Sequence, residues 1–126
     1  MQILRLNAGM NRKSLESKED CITVNLNTLQ SLEEAKLALY LAKKSFKNKK
    51  NIARKLKYEF LLWLSGKTNI KSAINETAIL ENEDFFLITF DQRKLIRIGG
   101  IKPKSGLKKD ARPLDLERIS LSRVKN

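Results

Sequence analysis

The chain has 126 residues, 41% of them hydrophobic, and a formal net charge of +12, which suits one domain with one core and a strongly basic surface. It holds no histidine and a single cysteine, Cys21, which excludes the commonest general base, an internal disulfide and a cysteine-based zinc site. No segment approaches the length of a membrane span, and the N-terminal residues lack the long apolar region of a secretion signal, so a cytoplasmic setting without membrane contact is expected.

In chain order, Gln2 to Leu6 alternates weakly and predicts an edge strand. Asn7 to Asp20 is polar and predicts a loop. Cys21 to Leu26 carries β-branched residues and predicts a second strand. Ser31, with Glu34 three residues on, forms a capping box. The helix that follows runs to about Phe46, with Ala35, Ala38, Leu39, Ala42 and Phe46 on one face. Leu37, Tyr40 and Leu41 widen that face enough for more than one neighbour. A second helix is expected from near Asn51 to Gly66, which stands where a terminating glycine belongs. Its second half is apolar nearly all round, as in a buried helix. Thr68 is the expected cap of a short third helix, with Ile70, Ala73 and Ile74 on one face. Asp84 to Phe90 predicts a central strand, and Lys94 to Ile98 a partner for it. Ile101 to Pro113 predicts a basic, turn-rich loop. Leu114 to Ser120 predicts a short helix, and Ile119 to Val124 a strand closing the sheet. The expected fold is α/β in the broad sense (α+β). It is a single domain over residues 1–126, a small mixed β-sheet packed with a central cluster of helices.

The positive charge is segregated. Residues 1–42 balance five basic against five acidic groups, whereas residues 43–71 carry ten basic groups against one acid, Glu59. Residues 76–91 carry five acids and no base, and residues 92–126 eleven basic groups against three acids. Basic blocks favour polyanions through counterion release, and nucleic acid is the first candidate. The first block leads from Lys43, Lys44, Lys47, Lys49 and Lys50 through Arg54, Lys55 and Lys57 into the turn Ser65-Gly66-Lys67-Thr68, with Lys71 beyond it. A turn with open backbone N–H groups beside lysines is the chemistry of a phosphate site. The plain alternatives are a solvated helix end and an ordinary helix stop followed by a cap. The turn is not a Walker loop, because the GxxxxGK[ST] spacing is absent. Platforms for bases are less clear than the cationic track, since Phe46, Tyr58 and Trp63 also suit the core. Glu81, Glu83 and Asp84 fit a solvated loop better than a cation site. No cofactor or metal is expected.

The helix ending in Ser65-Gly66, followed by Thr68 and then Ile70, Ala73 and Ile74, resembles the small kinase-binding subunit family of the KEOPS complex (TPRKB-like, archaeal type). Further matches are the alanine- and leucine-rich helix with a lysine-rich exit at Ala35 to Lys50, the apolar strand at Asp84 to Phe90, and Leu116-Glu117-Arg118-Ile119 near the end. The likeness covers about residues 20–90 and extends to 114–124. It departs over 91–113, which are short, basic and turn-rich where family members have a longer helical segment. It departs also at Ser120, Ser122 and Arg123, where they are more apolar.

The resemblance implies a non-catalytic subunit of the complex that makes the threonylcarbamoyl modification on the adenosine beside the tRNA anticodon. Such a subunit binds the RIO-like atypical kinase subunit and grips tRNA at its single-stranded 3′ CCA end, and it meets the other KEOPS subunits indirectly. On that reading Lys47, Lys49, Lys50, Arg54, Lys57, Ser65, Gly66, Lys67, Thr68 and Lys71 contact RNA. Ile70, Ala73, Ile74 and Ile79 contact the kinase. The alternative is a stand-alone basic RNA- or ribosome-binding domain without a kinase partner. An enzyme acting on nucleic acid is the weakest reading, because the acids that would hold catalytic metal form a block of their own.

Overall fold

A computed structural model describes residues 1–8, 20–80, 82–90, 107, 109–121 and 123. The chain adopts an α+β fold, and among the described residues its elements run β1 (Gln2–Leu6), β2 (Cys21–Asn25), α1 (Leu32–Lys47), α2 (Leu56–Ser65), α3 (Ile70–Thr77), β3 (Phe85–Thr89) and α4 (Pro113–Ser120). It divides into two compact units, Met1–Leu26 with Ile79–Gly106, and Asn27–Ala78 with Leu107–Asn126.

The first unit is built on the sheet, ordered β1-β3-β2 and antiparallel throughout. The expected central strand is β3, and all five of its residues are buried. Register places Leu4 opposite Leu87, Leu6 opposite Phe85 and Cys21 opposite Thr89. Side chains alternate across a strand, so Leu4, Leu6, Cys21, Phe85 and Leu87 gather into one cluster, and Ile79 packs against it. Cys21 is the small buried strand residue expected of it, its Sγ 3.7 Å from Thr89 Oγ1. Arg5, exposed on β1, pairs with Asp84 at 3.4 Å. The expected strand Lys94 to Ile98, and residues 9–19 and 101–106 of the two expected loops, lie outside the described residues.

The second unit is helical. α1 begins as the capping box requires: the Glu34 N–H donates to Ser31 Oγ at 3.2 Å. The Glu34 carboxylate in turn accepts from Ser31 Oγ at 2.9 Å and from the Gln30 N–H at 3.1 Å. Ala35, Ala38 and Ala42 are fully buried, and these small side chains let α1 pack closely on both α2 and α4. α2 is buried all round from Phe60 to Leu64, touching α1, α3 and α4. Segment 109–111 is tied to the start of α1, where the Glu33 N–H donates to the Lys109 carbonyl at 3.2 Å.

Three boundaries differ from expectation, each for a local reason. α2 starts at Leu56 rather than near Asn51, because the Ile52 and Ala53 N–H groups donate to the buried Glu59 carboxylate, both at 3.0 Å, instead of entering a helix. α3 is capped by Asn69 rather than Thr68: the Asn69 side chain accepts from the Ser72 N–H at 3.1 Å. The expected closing strand Ile119 to Val124 does not form from its described residues. Ile119 is the buried anchor of α4, and Leu121 ends that helix by donating its N–H to the Glu117 carbonyl at 2.9 Å. The alternation of residues 119–124 was real, but Pro113 in the first turn starts a helix that runs through its beginning.

Candidate nucleic-acid interface

Lys43, Lys44, Lys47, Lys49, Lys50, Arg54 and Lys55 are all exposed around the end of α1 and the connection to α2. Among the described residues the ion pairs are Arg5–Asp84, Arg112–Asp115, Arg118–Glu34 and Arg123–Glu59, so no neighbouring carboxylate neutralises this group. α1 stops in a tight turn, in which the Asn48, Lys49 and Lys50 N–H groups donate to Lys44, Phe46 and Ser45 carbonyls at 3.0, 3.2 and 2.8 Å. Lys49 itself is left-handed, with φ 56°. A lysine there costs about 1 kcal/mol relative to glycine.

The connection is held from beneath by Glu59, which is fully buried. One carboxylate oxygen takes the two amides of Ile52 and Ala53, and the other pairs with Arg123 Nη1 at 2.7 Å. Burial pushes this carboxyl up. The Arg123 hydrogen bond and the backbone amides outweigh that, and hold it below its ordinary value of 4.5. The Arg123 guanidinium lies 4.1 Å from the Trp63 ring centroid, and Trp63 Nε1 donates to Ser45 Oγ at 3.2 Å. Trp63 is therefore core. A lone acid inside a basic block, adjoining the apolar run of α2, was the signal for this anchor. Arg123 could not be paired with it from sequence.

The remaining expected RNA contacts divide. Lys57 is buried, its ammonium 5.3 Å from the Tyr58 ring centroid. Ser65 is buried and its hydroxyl donates to the Leu62 carbonyl at 3.3 Å. Gly66 takes the left-handed conformation expected of it, φ 73°. Its N–H donates to the Trp63 carbonyl at 3.2 Å, and the Lys67 N–H to the Leu62 carbonyl at 3.1 Å. These bonds satisfy the carbonyls left open at the end of α2. The amides of Gly66 and Lys67 are thus not open to an anion, and the expected backbone cradle does not form there. Lys67, Thr68 and Lys71 are exposed, so the turn contributes cations, while its Gly66 and Lys67 amides are taken by the helix end.

Of the expected kinase contacts, Ile70 and Ile74 are exposed on α3 at 37% and 47%, while Ala73 is fully buried. Ile79 belongs to the first unit and packs on its apolar cluster. The surface available for a partner on α3 is therefore carried by Ile70 and Ile74.

Tyr40 was expected to widen the packing face of α1. It is instead 61% exposed. It lines an open groove of about 320 Å³ with Lys43, Lys44, Lys47 and Asn48. Its sequence signal was the spacing of 40, 43, 44 and 47, which puts these side chains on one stripe of a helix.

Among the described residues no group of three or more cysteines, aspartates or glutamates is placed to hold a metal ion, and no helix is long and apolar enough to cross a membrane. No protein-family model matches the chain, and no curated protein matches it.

Proposed function

We propose that this chain is a non-catalytic, cytoplasmic RNA-binding subunit of the KEOPS small-subunit type. In this role it holds a RIO-like kinase subunit and recruits tRNA through its 3′ CCA end for threonylcarbamoyl-adenosine formation. The observation that carries the RNA part is the un-neutralised cationic surface from Lys43 to Lys55. Lys49 strengthens it: a strained backbone kept at a lysine, where glycine would be more stable, is what a functional charge explains. The kinase part rests on the resemblance and on the exposed pair Ile70 and Ile74.

Filter binding of tRNA across a salt series tests the RNA part. If about five phosphates are neutralised, the log–log slope lies near −3.5 to about −4.5. A flat response overturns it. Co-elution with the kinase subunit on gel filtration separates this reading from a stand-alone RNA- or ribosome-binding domain, which would bind tRNA with the same slope and leave the kinase free.

A further inference from the structure

The geometry points to a base-stacking subsite for single-stranded RNA on the outer face of α1, with Tyr40 as the platform and Lys43, Lys44 and Lys47 as phosphate contacts. It rests on the RNA-binding reading above and gives the α1 end of that cationic surface a base-binding part, apart from the α2–α3 turn.

At about 100° per residue, positions 36, 40, 43, 44 and 47 fall within a stripe about 100° wide. The stripe holds one tyrosine, four lysines and, toward the start of the helix, Glu33, whose carboxylate accepts from the Ala111 N–H at 3.3 Å. The buried alanines 35, 38 and 42 lie on the opposite side. The tyrosine is therefore not a core residue that happens to show an edge. Its ring stands in solvent on the face that no helix of its unit covers.

The Lys44 ammonium is 6.0 Å from the ring centroid, the outer limit of a cation–π contact. That contact is loose enough for the ammonium to turn to a phosphate. The groove volume of about 320 Å³ is at the small end of ligand pockets. Asn48 adds an amide that both donates and accepts.

These are the two parts of a single-strand site, a flat aromatic ring and an adjoining line of cations. An acidic protein surface or an anionic lipid headgroup would use the lysines and offer the tyrosine ring no flat base to stack on. A membrane would also need apolar neighbours beside Tyr40, and the stripe holds none. A duplex offers phosphates but no open base face. Single-stranded RNA uses the tyrosine and the lysines beside it together.

The test uses the full chain with a fluorescent uridine oligonucleotide, inorganic polyphosphate and intact tRNA, followed by anisotropy. Tyr40→Ala is expected to weaken the oligonucleotide about five- to a hundredfold. Tyr40→Phe keeps the ring and should stay within about twofold of the wild type. Polyphosphate has no bases, so it should bind the wild type and Tyr40→Ala equally. Lys43→Ala should weaken all three ligands, through phosphate contact. Thermal melting confirms folding, which an exposed substitution leaves intact.

If Tyr40→Ala binds the oligonucleotide as the wild type does while both bind tRNA, the stacking subsite is wrong and the RNA-binding reading stands. Equal losses on polyphosphate and oligonucleotide also overturn the platform. A wild type that binds polyphosphate and neither RNA overturns both.

Discussion

Glu59→Gln removes one charge from the buried anchor and leaves its size unchanged. In the wild type the carboxylate holds Arg123 at 2.7 Å and accepts two amides at 3.0 Å. The glutamine oxygen still accepts the amides of Ile52 and Ala53, but its NH₂ group faces the guanidinium. Two of the Arg123 nitrogens, Nε and Nη2, already lack a partner among the described residues, so Arg123 has little to fall back on. Removing one member of a buried pair costs about 3–5 kcal/mol. The Arg123 side chain keeps 15% of its exposure and its place over Trp63, so solvent relieves part of this and about 2–3 kcal/mol is expected. At about 4 °C per kcal/mol for a chain of this length, the melting temperature falls by about 8–12 °C. Urea unfolding of the wild type, Glu59→Gln, Arg123→Met and the double variant measures the coupling directly. The same comparison titrates the anchor. Its folded carboxyl lies below 4.5, so the unfolded chain takes up the proton first as the pH falls. The stabilisation is complete above 4.5 and is lost as the pH falls through the lower folded value. The gap between the wild type and Glu59→Gln should therefore close in acid. A variant within about 0.5 kcal/mol of the wild type at neutral pH, or a gap that does not change with pH, refutes the anchor.

Gly66 and Lys49, both left-handed, should respond in opposite ways. Gly66→Ala is expected to lose about 1 kcal/mol in urea unfolding, because its φ of 73° strains any Cβ, although that Cβ would meet Arg118 only in ordinary contact at 3.6 Å. Lys49→Gly should gain up to about 1 kcal/mol and at the same time weaken tRNA. A gain in stability with unchanged binding would remove the functional reason for that lysine. Ile74→Glu should stay folded and lose the kinase on gel filtration, since it places an unpaired charge in an apolar contact. Ile79→Glu should unfold the sheet unit, because Ile79 packs on the cluster around Leu87. The reverse pattern in circular dichroism would exchange their roles.

What could be read from the sequence was what a local pattern decides. The capping box at Ser31 and Glu34, the buried stretch Phe60 to Leu64, the left-handed Gly66 and the central strand from Phe85 each follow from a few neighbouring residues. What could not be read depended on distant partners. Residues 52–55 carry a helical pattern, yet a glutamate seven and six residues ahead claims the amides of Ile52 and Ala53, and its own charge is balanced by Arg123 from late in the chain. The site divides along the same line. The cationic track was visible as composition. Which lysine is buried, which amides the helix end consumes and which aromatic faces solvent are set by packing. Tyr40 was assigned inward because it adjoins apolar residues, whereas the alanines opposite already fill the contact with α2 and α4.

The central claim is that the cationic surface grips the single-stranded end of tRNA. The most direct measurement is titration of intact tRNA, and of tRNA lacking its terminal CCA, against the wild type and against Lys47→Glu with Lys50→Glu. The account predicts tighter binding of the intact tRNA by the wild type. It predicts a loss of about tenfold or more on that substrate after charge reversal, with the residual binding of the shortened tRNA little changed. Equal wild-type affinity for the two tRNAs, or equal losses on both, would contradict a dedicated end-binding site and leave diffuse charge as the whole of the interaction.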